Sequence, residues 1–209
     1  MSTAVFMFDL TGNMARPWAD AGYDCLIVDR QHPAGLSEFA PNITAHGTDM
    51  LRWIPPRKYA DPIFAAAFPP CDHLAVSGAR WFQGKGLQAL SDAIELFARA
   101  AEWCEWLGCP YMIENPVSTI STYWRQPDYT FHPWQYAGLE PRDGYTKKTC
   151  LWAGGGFVMP APDYPDSLIP DDRIHKAPPG PERANFRSAT PLGFAKAVFA
   201  ANEPKRIAA

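Results

Sequence analysis

Cys71 combines the most reactive side chain in the sequence with the most constrained setting. It follows Phe68-Pro69-Pro70, and two consecutive prolines fix the backbone so that the next side chain is aimed rather than mobile. A thiol is largely protonated at neutral pH but intrinsically very nucleophilic. The competing reading of such a cysteine is a small buried hydrophobe. Glu114, in Glu114-Asn115-Pro116, is the natural proton donor: a buried carboxyl keeps its proton to higher pH, whereas a salt-bridged one does not. Lys147-Lys148, beside Thr149, offers a cation for a carbonyl oxygen or a phosphate, or else a solvated pair. Three further groups can bind rather than react. Asp9-Leu10-Thr11-Gly12-Asn13 supplies a glycine where backbone can approach a ligand closely, with helix N–H groups behind it. Asp29 lies about 20 residues after that turn, where an acid can accept hydrogen bonds from ribose hydroxyls. Asp49 can accept from an adenine amino group, and both aspartates can equally serve as turn caps.

These residues need elements that bring them together. Short apolar runs at Ala4–Leu10, Cys25–Val28, Ile43–Ala45, Ile63–Phe68 and Tyr111–Ile113 each end in polar or turn residues, as buried strands do. Helical periodicity covers Met14–Ala21 and, most clearly, Gly86–Leu107, where Leu90, Ile94, Phe97 and Ala101 recur before Gly108 and Pro110 stop the helix. Strands interleaved with helices predict a parallel α/β sheet. Thr130–Tyr136 and Thr146–Trp152 are expected to add edge strands, and Gly193–Ala201 a closing helix. In such a sheet ligands bind outside the carboxyl ends of the strands, where Asp9, Asp29, Asp49, Cys71 and Glu114 all fall.

Composition narrows the class. The chain has 209 residues, a formal net charge of −3 and 22 prolines, a proline share roughly double the usual ~5%. That proline content argues against a helical bundle, and the apolar content against disorder. Seven of the prolines fall in residues 153–187, a stretch without periodicity that predicts a long ordered loop within a single domain spanning 1–209. No apolar run reaches the length needed to cross a membrane, and the first residues lack the charged and small-residue features of a signal peptide, so a cytoplasmic protein is expected. Five cysteines without a Cys-x-x-Cys pair predict free thiols and no metal site.

Taken in order, the blocks resemble those of DNA cytosine 5-methyltransferases, nearest to short phage-borne members. Phe8-Asp9-Leu10-Thr11-Gly12 resembles the cofactor loop, Asp29 the ribose acid and Gly47-Thr48-Asp49-Met50 the adenine block. Phe68-Pro69-Pro70-Cys71 with Ser77-Gly78 resembles the catalytic block, Glu114-Asn115-Pro116 the Glu-Asn-Val block and Lys148-Thr149-Cys150-Leu151-Trp152 the Arg-x-Arg-x-Phe block. Arg187-Ser188-Ala189-Thr190-Pro191 stands where the last cofactor block belongs.

The resemblance implies a Rossmann-like class I methyltransferase fold, a mostly parallel central sheet with helices on both faces. It implies S-adenosylmethionine as cofactor, held by Asp9, Leu10, Thr11, Gly12, Asp29, Asp49, Met50, Pro69 and Ser188, and cytosine in DNA, duplex or single-stranded, as substrate. Cys71, Glu114 and Lys148 would be catalytic, in the cytoplasm of a bacterium or a phage-infected host. Family members usually carry a large target-recognition domain, and this chain has only 153–187 in its place. That favours low or short sequence specificity, and it keeps open a free pyrimidine nucleotide or single-stranded nucleic acid as substrate, or a non-catalytic binding role. A zinc deaminase is excluded by the lack of a second cysteine after Pro70-Cys71, and an amino-group methyltransferase by cysteine where Tyr or Phe would stand.

Overall fold

A computed structural model describes residues 2–178, 180 and 183–204. In chain order the strands are β1 (Thr3–Met7), β2 (Asp24–Val28), β3 (Gly35–Ala40), β4 (Ile43–Gly47), β5 (Phe64–Ala67), β6 (Tyr111–Pro116), β7 (Tyr129–Phe131) and β8 (Thr149–Gly154). They form one sheet in the order β3-β4-β2-β1-β5-β6-β8-β7. The central five, β4, β2, β1, β5 and β6, are mutually parallel, and β3, β8 and β7 pair antiparallel with their neighbours. The fold is therefore α/β with a mixed, mostly parallel sheet.

Burial on both faces explains the unbroken apolar runs. Along β1, Ala4 and Phe6 point to one face while Val5 and Met7 point to the other. The first face is covered by helices α1 (Arg16–Asp20) and α5 (Leu192–Asn202), with Trp18 stacked on Phe64 at 4.7 Å and Phe131 on Phe194 at 3.9 Å. The second is covered by α2 (Phe82–Leu107), which buries Ala93, Phe97, Ala100, Cys104 and Leu107 at helical spacing. Alanines at 65 and 67 leave room for it on β5. The short helix α3 (Ile120–Tyr123) adds Ile120 to the core under α2, whereas α4 (Arg183–Ser188) buries no residue.

Three expectations shift. β3 is absent from the apolar runs, because this edge strand has no buried residue: four of its six residues are exposed, and only Ser37 and Ala40 are half-buried. The expected edge strand at Thr130–Tyr136 stops at Phe131, since Pro133 has no N–H for a ladder and opens a tight helical turn instead. The proline-rich 153–187 stretch begins as the end of β8 and finishes inside α4. Between them it is an ordered loop. The Asp163 N–H donates to the Gln135 carbonyl and the Gly138 N–H to the Asp163 carbonyl, at 2.7 and 2.8 Å, and the Thr146 N–H donates to the Asp171 carbonyl at 2.8 Å. Pro179, Pro181 and Glu182 of that stretch lie outside the described residues.

Candidate active site

The chain runs β1, β2, β4 outward on one side of β1 and then crosses back to place β5 and β6 on the other. The crevice at this switch point, outside the carboxyl ends of β1 and β5, is where an open α/β sheet binds ligands. The sequence-selected residues fall into two groups around it.

The first group follows β1 and β2. Phe8 adopts a left-handed φ of 58°, which turns the chain sharply out of β1. Asp9 is buried, and its Oδ1 accepts hydrogen bonds from the Thr11 N–H at 3.0 Å, the Thr11 hydroxyl at 3.2 Å and the Gly12 N–H at 2.8 Å. Its Oδ2 is buried with no partner among the described residues. Burial lifts the Asp9 carboxyl to about 6, against the pull of those hydrogen bonds. Gly12 has φ +65°, and a Cβ there would meet the Phe39 ring at 3.0 Å, so both conformation and space select glycine. Leu10 and Thr11 are half-buried on the same turn. The buried Asp29 caps its own turn by accepting the Gln31 N–H at 2.8 Å. His32 ties the two turns together, with Nε2 2.9 Å from the Asp9 carbonyl.

The remaining binding candidates divide. Asp49 is exposed and accepts the Leu51 N–H at 3.0 Å, a turn cap at the end of β4. Met50 is a core residue beneath α2. Asn13 donates to the Thr190 carbonyl at 2.9 Å, which fastens the segment before α5 to the β1 turn. Ser188 is exposed, and its hydroxyl donates back to the Asn185 carbonyl in its own helix at 3.2 Å.

The second group follows β5 and β6. Pro69 is buried, and its carbonyl accepts from the Asn115 side-chain amide at 2.9 Å, so the two strand ends are clamped side by side. The Cys71 carbonyl accepts the N–H groups of Leu74 and Ala75, at 3.0 and 2.8 Å, which winds 71–75 into a single turn. That turn is stitched to the residues after β6: Val76 N–H donates to the Val117 carbonyl and Thr119 N–H to the Leu74 carbonyl, each at 3.0 Å. Cys71 is half-buried. Burial first, then the charges of Glu114 and Asp72, push its thiol up to about 11, while Lys147 opposes them. Burial likewise raises the Glu114 carboxyl, again against Lys147.

The cation of this cluster is Lys147 rather than Lys148. Lys147 Nζ stands 3.7 Å from Glu114 Oε1, whereas Lys148 is exposed and faces His132 and Cys150. Successive side chains on an extended segment point to opposite sides, so one of two adjacent lysines faces the site and the other cannot. Three polar atoms beside this group, Asn115 Oδ1, Ser118 Oγ and Thr119 Oγ1, are buried without a hydrogen-bond partner among the described residues, and the buried Glu114 Oε1 has only its long ion pair with Lys147. An unmade hydrogen bond costs about 1–3 kcal/mol for each buried group, so atoms of this kind side by side are free to take up a polar ligand or water. Sequence reading missed Asn115 as the clamp and Ser118 and Thr119 as lining; the Ser-Thr pair right after Asn115-Pro116-Val117 was the available signal.

Among the described residues no three His, Cys, Asp or Glu side chains converge as a metal site, and no helix is long and apolar enough to cross a membrane. No protein-family model matches the chain, and no curated protein matches it significantly.

Proposed function

We propose that the protein transfers a methyl group from S-adenosylmethionine to carbon 5 of cytosine in nucleic acid, through a covalent adduct on Cys71. The observation that carries this reading is the clamped pair of strand ends, which sets a nucleophile, a proton-holding carboxyl and a cation around unpartnered polar atoms. The sheet order supports the finer fold assignment: strands β4-β2-β1-β5-β6 repeat the outward-and-back order of doubly wound dinucleotide-binding folds. The β1 turn fits the cofactor, because the unpartnered buried Asp9 Oδ2 suits a cationic ammonium group and Gly12 leaves the backbone bare. Asp9, Thr11, Gly12 and Asp29 would hold it, with Pro69 at the lip; when bound, it supplies the methyl group that carbon 5 takes up.

The residues do the rest. Carbon 5 of cytosine is a weak nucleophile until carbon 6 carries a substituent. As the Cys71 sulfur bonds to carbon 6, its proton leaves and ring nitrogen 3 gains one from Glu114, so the thiol has added across the ring and carbon 5 has become electron-rich. Burial keeps Glu114 protonated to higher pH for this step, and Lys147 is placed to hold the ring oxygen. After methylation carbon 5 loses its proton and the carbon–sulfur bond breaks to free the Cys71 thiolate. Ring nitrogen 3 returns its proton to Glu114 and the thiolate is reprotonated, so that one proton in all is released to solvent. The raised thiol keeps Cys71 mostly protonated at neutral pH, so it enters the step as a thiol whose proton must leave as the bond forms. A cytosine in a duplex must leave the stack to reach Cys71, at a cost of a few kcal/mol.

The test is twofold. The full chain is expected to bind S-adenosylmethionine in a calorimeter, with Asp29→Ala abolishing binding. It is also expected to move labelled methyl from the cofactor onto cytosine-containing DNA. Absence of cofactor heat together with absence of label in nucleic acid overturns the proposal.

A further inference from the structure

Immediately after the Cys71 turn the chain changes character. Residues 73–91 contain no acid, but carry Arg80, Lys85 and His73, in a chain whose net charge is −3. Trp81 is 60% exposed, with the Arg80 guanidinium 5.0 Å from its ring centre. α2 is broken at its start by Gly86, which adopts φ +80° with open space around it. Under this broken turn is a cavity of about 330 Å³ lined by His73, Phe82, Gln83, Lys85, Leu87 and Leu90. It is tied to the Cys71 turn: Lys85 Nζ donates to the Asp72 carbonyl, and His73 stands two residues beyond the thiol. His73 Nδ1 is buried without a partner among the described residues.

We infer that this cavity takes the nucleobase next to the target cytosine in a single-stranded or locally opened nucleic acid. This rests on the reading that a cytosine of a nucleic acid reaches Cys71. The volume is at the lower end of small-ligand sites, which begin at about 300 Å³, and so suits one base rather than a peptide side-chain cluster or a larger cofactor. The Phe82 ring and the aliphatic Leu90 line it, the largely exposed Leu87 stands at its mouth, and His73 Nδ1 and the Gln83 amide supply polar partners for a base edge. Arg80 and Lys85 beside the cavity offer cations to a phosphate backbone passing over it, with the exposed Asp72 at one edge, and Trp81 offers a face for the following base. The site then reads a cytosine together with one neighbour, a recognition unit small enough to need no separate domain.

The experiment measures binding of fluorescein-labelled single strands of on the order of eight nucleotides to the full-length protein by anisotropy, without cofactor. One strand carries cytosine between thymidines; two others carry an abasic residue on one side or the other of the cytosine. One abasic strand is expected to bind about 10-fold more weakly, as loss of one stacked base implies. Leu87→Trp, which fills the cavity, should remove that sensitivity. Equal binding of all three strands overturns the inference, as does binding of cytidine monophosphate as tight as that of the intact strand. The wild-type comparison decides the matter even if the variant fails to fold. Methyl transfer with no abasic effect removes the base cavity and leaves the methyltransferase reading intact; an abasic effect without methyl transfer does the reverse.

Discussion

The two halves of the crevice solve opposite problems. On the β1 side the polar groups are mostly satisfied by the chain itself: Asp9 Oδ1 gathers three donors, Asp29 caps its own turn, and His32 bridges the two. On the β5–β6 side the backbone is clamped, yet Asn115 Oδ1, Ser118 Oγ and Thr119 Oγ1 have no hydrogen-bond partner among the described residues, and Glu114 Oε1 has only its long ion pair with Lys147. A turn that satisfies most of its own groups holds its shape before a ligand arrives; the one atom it leaves unmet, the buried Asp9 Oδ2, is what a ligand could address. A cluster of unmet polar groups is costly in isolation and is relieved when a ring with donors and acceptors enters. One half is a preformed cradle, and the other is held in tension for chemistry.

The largest effect that would break this contrast is at Glu114. Glu114→Gln removes the proton donor and should lower methyl transfer about 10²–10⁴-fold, the range for one general acid. At alkaline pH, where Glu114 is ionised, its charge helps to raise the Cys71 thiol, so the same variant should make Cys71 react faster with iodoacetamide there. A merely structural role would not produce these opposite changes in turnover and alkylation.

Lys147 sharpens the comparison further. Its cation lowers both the Glu114 carboxyl and the Cys71 thiol, so Lys147→Met should raise both. The alkaline rise of Cys71 alkylation then moves to higher pH, and turnover at neutral pH falls roughly 10-fold or more, as loss of a nearby charge in a partly buried site implies. Lys148→Met, one residue along but exposed, should leave both within about 2-fold, in keeping with ordinary surface substitutions. Equal losses in the two variants, read from pH–rate profiles, would contradict the assignment.

A smaller change is expected on the cradle side. Burial raises Asp9 from 3.8 to about 6 in the folded protein, so folding favours its protonated form. Stability from this group is fully present below about pH 4 and declines as pH rises toward 6; two units correspond to about 3 kcal/mol at most. Asp9→Asn should flatten that decline in urea melts between pH 4 and 6 and raise stability at pH 7 by up to about 3 kcal/mol. Calorimetry should show its affinity for S-adenosylmethionine about 10-fold weaker, since the charged partner of the ammonium is gone.

Much of this layout was legible in the sequence because it depends on local rules. Five parallel strands and the long helix announced themselves through apolar runs and through Leu90, Ile94 and Phe97 at helical spacing. Cys71, Glu114 and the Asp9 turn could be placed at strand ends from the sequence, the region where open α/β sheets bind ligands, because each apolar run ends at a polar or turn residue. What escaped depends on which way a side chain faces or on partners distant in sequence. Lys147 and Lys148 are equivalent as letters and differ only in the side of the chain they occupy. Asn115 becomes a clamp only because Pro69, 46 residues earlier, presents its carbonyl. β3 carries no buried alternation, and the 153–187 loop is ordered by backbone bonds to residues 135–146 that leave no mark on its composition. Ser188 and Asp49 show the reverse: a block in the expected order can still leave its polar side chain capping its own helix or turn.

The central claim is that Cys71 bonds to carbon 6 of a cytosine, and one measurement addresses it directly. The full-length protein is incubated with DNA carrying 5-fluorocytosine and S-adenosylmethionine; fluorine at carbon 5 blocks the final proton loss and traps the adduct. The account predicts a denaturation-resistant protein–DNA complex whose mass maps to Cys71 and which is absent in Cys71→Ala. No complex, or one that persists in Cys71→Ala, would contradict it.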